Sequence, residues 1–186
     1  MVERMSANHL GPESSKVGEV IVYVSTSITA GINESLPLAI DKVVEAYQGK
    51  VNNKHVIWAG HDESKREEFL REYTQKYLGK DLPPKGRPEF KKIIYKLDML
   101  LVDKATHLIL ILDKPSFGVA LELQQALTRP ARGLSPAKIL GLIHKDNYPK
   151  LSFIVQGAAE VYPNFEIAVY EDIADAQNIV KEFIKR

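Results

Sequence analysis

The sequence predicts a doubly wound α/β fold, a parallel five-stranded sheet with helices on both faces. Two observations lead there. Short β-branched or aliphatic runs alternate with segments of helical periodicity along the chain from about residue 19 to 186. The run HLILIL at 107 to 112 is too uniformly apolar to leave either face in water, as expected of a central strand in a parallel sheet. In such Rossmann- or flavodoxin-like sheets, ligands sit beyond the carboxyl ends of the strands.

Residues 1 to 17, rich in Ser, Gly and Asn, read as a mobile tail, leaving 18 to 186 as one domain. VIVYVS at 20 to 25 has the length of a buried strand, and SLPLAIDKVVEAYQ at 35 to 48 carries helical spacing through Leu38, Val43, Val44 and Tyr47. HVIWAG at 55 to 60 is expected as a second strand. A helix follows with Phe69, Leu70, Tyr73 and Tyr77 on one face, and Gly79 ends it. After the loop KDLPPKGRP, a longer helix from Glu89 to Ala105 runs through Ile93, Ile94, Leu97, Leu100 and Leu101 into the central strand. A helix at 118 to 128, a strand at 138 to 143, the short segment PKLSFIVQGA, a strand at 165 to 170 and a helix from Ile173 to Lys185 complete the order.

Composition excludes several functions. Apolar residues make up 45% and charged ones 26%, with a net charge of +1, so neither a polymeric nucleic acid nor a membrane is an expected partner. There is no cysteine, hence no disulfide, thiolate nucleophile or cysteine metal site. The five histidines show no close metal-ligand spacing, and neither a metal nor another cofactor is expected. Without an apolar run of membrane-spanning length, a cytoplasmic protein, or a nuclear one in a eukaryote, is the expectation.

Two hydroxyl- and glycine-bearing loops open helices at strand ends: STSITAGINES at 25 to 35 and DKPSFG at 113 to 118. A helix N-terminus with unpaired amides can hold a phosphate, although Ser27, Asn33 and Ser116 read equally as helix caps and turn formers. Neither loop is a Walker or GxGxxG motif. Two carboxylates add chemistry. Asp98 lies four residues after Ile94 and three before Leu101, beside the core-facing stripe of its helix. Glu122, one turn after Gly118, borders the apolar side formed by Val119, Leu123 and Ala126, over the carboxyl end of the central strand. Both also fit a solvated or bracing role. A carboxylate pair with separate roles is what glycosidic chemistry employs.

YVSTSI, the isolated Asp98, PSFGVALELQQAL and LSFIVQGAAE followed by a final strand and helix resemble the nucleoside 2-deoxyribosyltransferase superfamily. Within it they are most similar to the nucleoside 5'-monophosphate N-glycosidases, the deoxynucleotide N-hydrolases and CMP hydrolases. The resemblance covers residues 19 to 186. It implies that Glu122 is a nucleophile toward C1' of the sugar, that Asp98 positions sugar or nucleophile and assists proton movement, and that Tyr23 lies by the reacting centre. It further implies a phosphate held by Ser27, Ser116 and Gly118, and a homodimer with shared sites to which Ser152 is lent by the neighbouring subunit. The substrate would be a (deoxy)nucleoside 5'-monophosphate and the acceptor water. Base exchange by a deoxyribosyltransferase and silent nucleotide binding are the alternatives. One departure stands out: where the family reads Gly-Ser-Ile-Arg-Gly-Gly, this chain has Thr29 in place of arginine, the group that best grips phosphate. Lys114 is a candidate substitute. The basic segment 79 to 92 reads as a solvated loop or a lid, His61 as a lone histidine at a strand end, and Trp58 as core.

Overall fold

The computed structural model describes residues 19–27, 35–59 and 62–186. The expected tail over 1 to 17, the loop positions Thr29, Gly31 and Asn33, and His61 lie outside the described residues.

In chain order the elements are β1 (Ile21–Ser25), α1 (Ser35–Ala46), β2 (Lys50–Val51), α2 (Lys54–Ile57), α3 (Glu63–Leu78), α4 (Pro88–Lys104), β3 (His107–Ile111), α5 (Phe117–Leu127), β4 (Lys138–His144), α6 (Phe153–Val161), β5 (Phe165–Tyr170) and α7 (Ile173–Lys185). The strands pair in the order β2-β1-β3-β4-β5 and every pair is parallel. This is the doubly wound order of flavodoxin-like sheets, whose direction reverses between β1 and β3.

Strand alternation sorts two cores. Val22, Val24, Ile109, Ile111, Leu140 and Leu142 face α1 and α7, where they meet Ile40, Val44, Val180 and Phe183. Tyr23, Leu108, Leu110 and Ile139 face the other way and pack with Leu97 and Leu101 of α4 and Val119, Leu123 and Ala126 of α5. Trp58 is half-buried against both cores.

The second strand is not where the apolar run HVIWAG placed it: β2 is only Lys50–Val51, and Lys54–Ile57 is one turn of helix. Asn53 supplies the reason. Its Oδ1 accepts the Val24 amide at 3.0 Å and its Nδ2 donates to the Val24 carbonyl at 2.7 Å, so a side-chain amide satisfies the backbone that a longer β2 would have paired. Asn52 adds a bond from Nδ2 to the Leu101 carbonyl at 2.8 Å, tying the same turn to α4. Released from the sheet, the chain turns and packs His55, Val56 and Ile57 inward. The segment PKLSFIVQGA, assigned no element from sequence, supplies much of α6.

Helix ends follow local chemistry. Asp62, Ser116, Ser152 and Asp172 each accept a backbone N–H from the first turn of the helix they precede. Gly79 closes α3 in the left-handed region at φ 61°, which a Cβ disfavours. Among the described residues, no helix is long and apolar enough to cross a membrane.

Candidate active site

The side chains of Tyr23 and Ser25, two residues apart on β1, leave the sheet on the α4/α5 side at its carboxyl-terminal end. From α5, Glu122 reaches back between them. Tyr23 Oη donates to Glu122 Oε1 at 2.7 Å, and Ser25 Oγ donates to Glu122 Oε2. The position follows from helix periodicity: Val119, Leu123 and Ala126 are buried against the sheet, and Glu122 stands at the edge of that stripe, half-buried.

Asp98 approaches from α4, beside the buried Leu97 and with its side chain 17% exposed. Its Oδ1 lies 3.1 Å from Nε2 of His55, whose side chain is 4% exposed and whose ring stacks on Phe69 at 5.6 Å between centroids. Nδ1 of His55 has no hydrogen-bond partner among the described residues. Glu122 and Asp98 therefore share one environment. Burial pushes the Glu122 carboxyl up to about 7, against the pull of the Ser25 and Tyr23 hydrogen bonds; the nearby Asp98 charge adds to the rise and His55 opposes it. The Tyr23 phenol is held well above its ordinary value, first by burial and then by Asp98 and Glu122, so it stays protonated and donates. Burial is the largest influence, and it leaves the group poised near neutrality.

The structure thus joins three of the seven residues singled out by sequence, Glu122, Asp98 and Tyr23. Ser27 is nearby, buried two positions beyond Ser25. Ser116 caps α5, its Oγ accepting the Val119 amide at 3.4 Å, and a Cβ on Gly118 would meet only that hydroxyl at 3.6 Å. Ser152 caps α6, accepting the Ile154 amide at 3.3 Å, and is exposed. Ser25 and His55 belong to the cluster and were not singled out by sequence. Ser25 sits in the quoted strand end, where an alternation argument would have pointed it the same way as Tyr23. His55 was hidden by its reading as a strand residue.

A cleft of about 610 Å³ opens beside this cluster, over the ends of β1, β3, β4 and β5. Thr26, Ser27 and Lys114 form its near walls, at the point where strand order reverses. Glu122 borders the other side of β1 and does not line it. Among the described residues no group of His, Asp and Glu is placed to hold a metal ion.

The chain is similar in fold to an N-glycosidase. It superposes on the Clostridium botulinum CMP N-glycosidase BcmB with a TM-score of 0.54, over 87% of this chain and 98% of that one, at 14% sequence identity. At this identity the likeness is one of fold. No family model and no curated protein sequence matches the chain.

Proposed function

We propose that the protein hydrolyses the N-glycosidic bond of a (deoxy)nucleoside 5'-monophosphate, with Glu122 as nucleophile. The observation that carries the reading is a half-buried carboxylate gripped by Tyr23 and Ser25 and coupled to Asp98, at the sheet edge where such folds bind ligands. A Glu122 oxygen forms a bond to C1' while the bond from C1' to the base nitrogen breaks, and the base leaves with the electron pair and takes up a proton. Water then adds to C1', loses a proton, and frees Glu122 and (deoxy)ribose 5-phosphate. Positive charge builds on the sugar ring in both steps, so the paired carboxylates stabilise the transition state more than the ground state.

Tyr23 and Ser25 hold both oxygens of the nucleophile, fixing the direction of attack. Asp98, with Oδ1 3.1 Å from Nε2 of His55, is the proposed group that positions the sugar and passes the proton. Ser27, Ser116 and Gly118 are the proposed phosphate contacts. The likeness of fold to a CMP N-glycosidase supports this class of reaction.

On this reading residues 18 to 186 act as one domain and pair with a second copy. Phe153, Ile154 and Val161 on α6 and Phe117 on α5 are 88%, 84%, 74% and 93% exposed, and α6 buries no residue completely. Apolar surface of this kind suits a protein partner. A second copy seated there would bring Ser152, the residue just before Phe153, toward the neighbouring site.

Screening a panel of nucleoside monophosphates for released base, with a labelled second base present, tests the proposal. Free base and sugar phosphate are expected; label entering the nucleotide would show a transferase, and binding without release a silent binder.

A further inference from the structure

We infer that the cleft beside the Glu122 cluster is a second subsite, which takes a second ribosyl unit joined to the substrate through its 5' phosphate. The inference rests on the reading that Glu122 attacks C1' of a nucleotide. Position comes first. Thr26 and Ser27 follow Ser25 directly, so the cleft begins at most about 7 Å of chain from the grip on Glu122. Ser27 is 6% exposed and lines the cleft, so a hydroxyl stands at its mouth.

Size comes second. At about 610 Å³ the cleft falls within the range of pockets that enclose a whole drug-sized ligand, roughly 300–1,000 Å³. One phosphate would leave most of it empty.

The far wall decides the chemistry. Asp113, Glu171 and Asp172 line it, with Lys145 3.6 Å from the Glu171 carboxylate, and they offer acceptors to neutral hydroxyls. Acidic side chains near strand ends hold ribose hydroxyls in dinucleotide-binding sheets by this means. The wall is also braced. The Asp113 carboxylate accepts the His144 amide at 2.6 Å and the Tyr170 hydroxyl, and His144 Nε2 donates to the Glu171 carbonyl at 3.0 Å while Nδ1 accepts from the Asp146 amide. With about four lone-pair directions, Asp113 keeps acceptor capacity after those two bonds. Ile111, Ile173 and the Tyr170 ring add apolar surface for the face of a sugar or base. Such a ligand is a dinucleotide, cleaved at C1' of one half while the other half lies in the cleft.

The test compares adenosine and cytidine monophosphates with the dinucleotides in which each carries adenosine through a pyrophosphate. Base release and calorimetric binding are measured for the wild type and for Asn147→Trp, which places a large ring in the cleft that Asn147 lines. A wild-type kcat/KM at least tenfold higher for the dinucleotides is expected, with that ratio collapsing toward one in the variant. A wild-type ratio at or below one, or a ratio the tryptophan leaves unchanged in a folded variant, overturns the subsite. If no compound releases base, the hydrolase reading has failed and calorimetry still decides. Tighter wild-type binding of dinucleotide than of monophosphate supports the subsite, and equal binding removes it.

Discussion

Tyr23 donates its phenolic proton to Glu122 across 2.7 Å, joining positions 99 residues apart in the chain. A hydrogen bond to a charged acceptor is worth about 1.5–3 kcal/mol, and this one favours the ionised carboxylate. Tyr23→Phe is expected to move the Glu122 carboxyl upward by roughly one pH unit. On the hydrolase reading, base release at pH 7 then falls roughly three- to tenfold and recovers at higher pH. A pH profile of kcat checks this; an unchanged acid limb would sever Tyr23 from Glu122.

The wild-type profile carries its own expectation. With Glu122 pushed up to about 7, the nucleophilic form accumulates as pH rises through neutrality. Activity should climb across that value, and a plateau extending below pH 5 would show an ionised group throughout.

The same burial links stability to pH. Unfolded, the carboxyl titrates near 4.5, and folded near 7. Between these values the native state holds more protons than the unfolded state, so stability falls as pH rises through the window, and the loss is complete above 7. Glu122→Gln removes the titration. It should be more stable than wild type at pH 8, by roughly 1–3 kcal/mol, with the gap closing by about pH 4. Denaturant midpoints at the two pH values measure it, and a constant gap would refute the linkage.

Asn53, fully buried, stands where a strand would otherwise lie. Asn53→Leu leaves both the amide and the carbonyl of Val24 without partners, at a cost of roughly 2–4 kcal/mol. Thermal unfolding should show a drop of many degrees. A loss under 1 kcal/mol, by the scale of such bonds, would mean that the backbone finds another partner.

These positions mark how far sequence reasoning reached. β5 at Phe165–Tyr170 and α7 at Ile173–Lys185 fall where periodicity puts them, because each is a local pattern read against one buried face. HVIWAG failed because a short apolar run has no period of its own, and the partner that decided against a strand was a side-chain amide. Glu122 and Asp98 were legible as polar residues beside apolar stripes. The Ser25 bond to Glu122 spans 97 positions and the His55 contact links two separate helices, so neither leaves a local trace.

The exposed apolar residues of α6 give a further expectation. In light scattering the wild type should run as a dimer and Ile154→Lys as a monomer, with base release reduced because Ser152 no longer reaches a neighbouring site. A monomeric wild type with full activity would remove the shared-site arrangement.

Replacing Glu122 by alanine addresses the account at its root. Across a panel of nucleoside monophosphates, wild type should liberate free base from at least one, and Glu122→Ala should be slower by roughly a thousandfold or more, the loss typical of removing a nucleophile, with an unchanged circular dichroism spectrum. A folded alanine variant that releases base at the wild-type rate would contradict it.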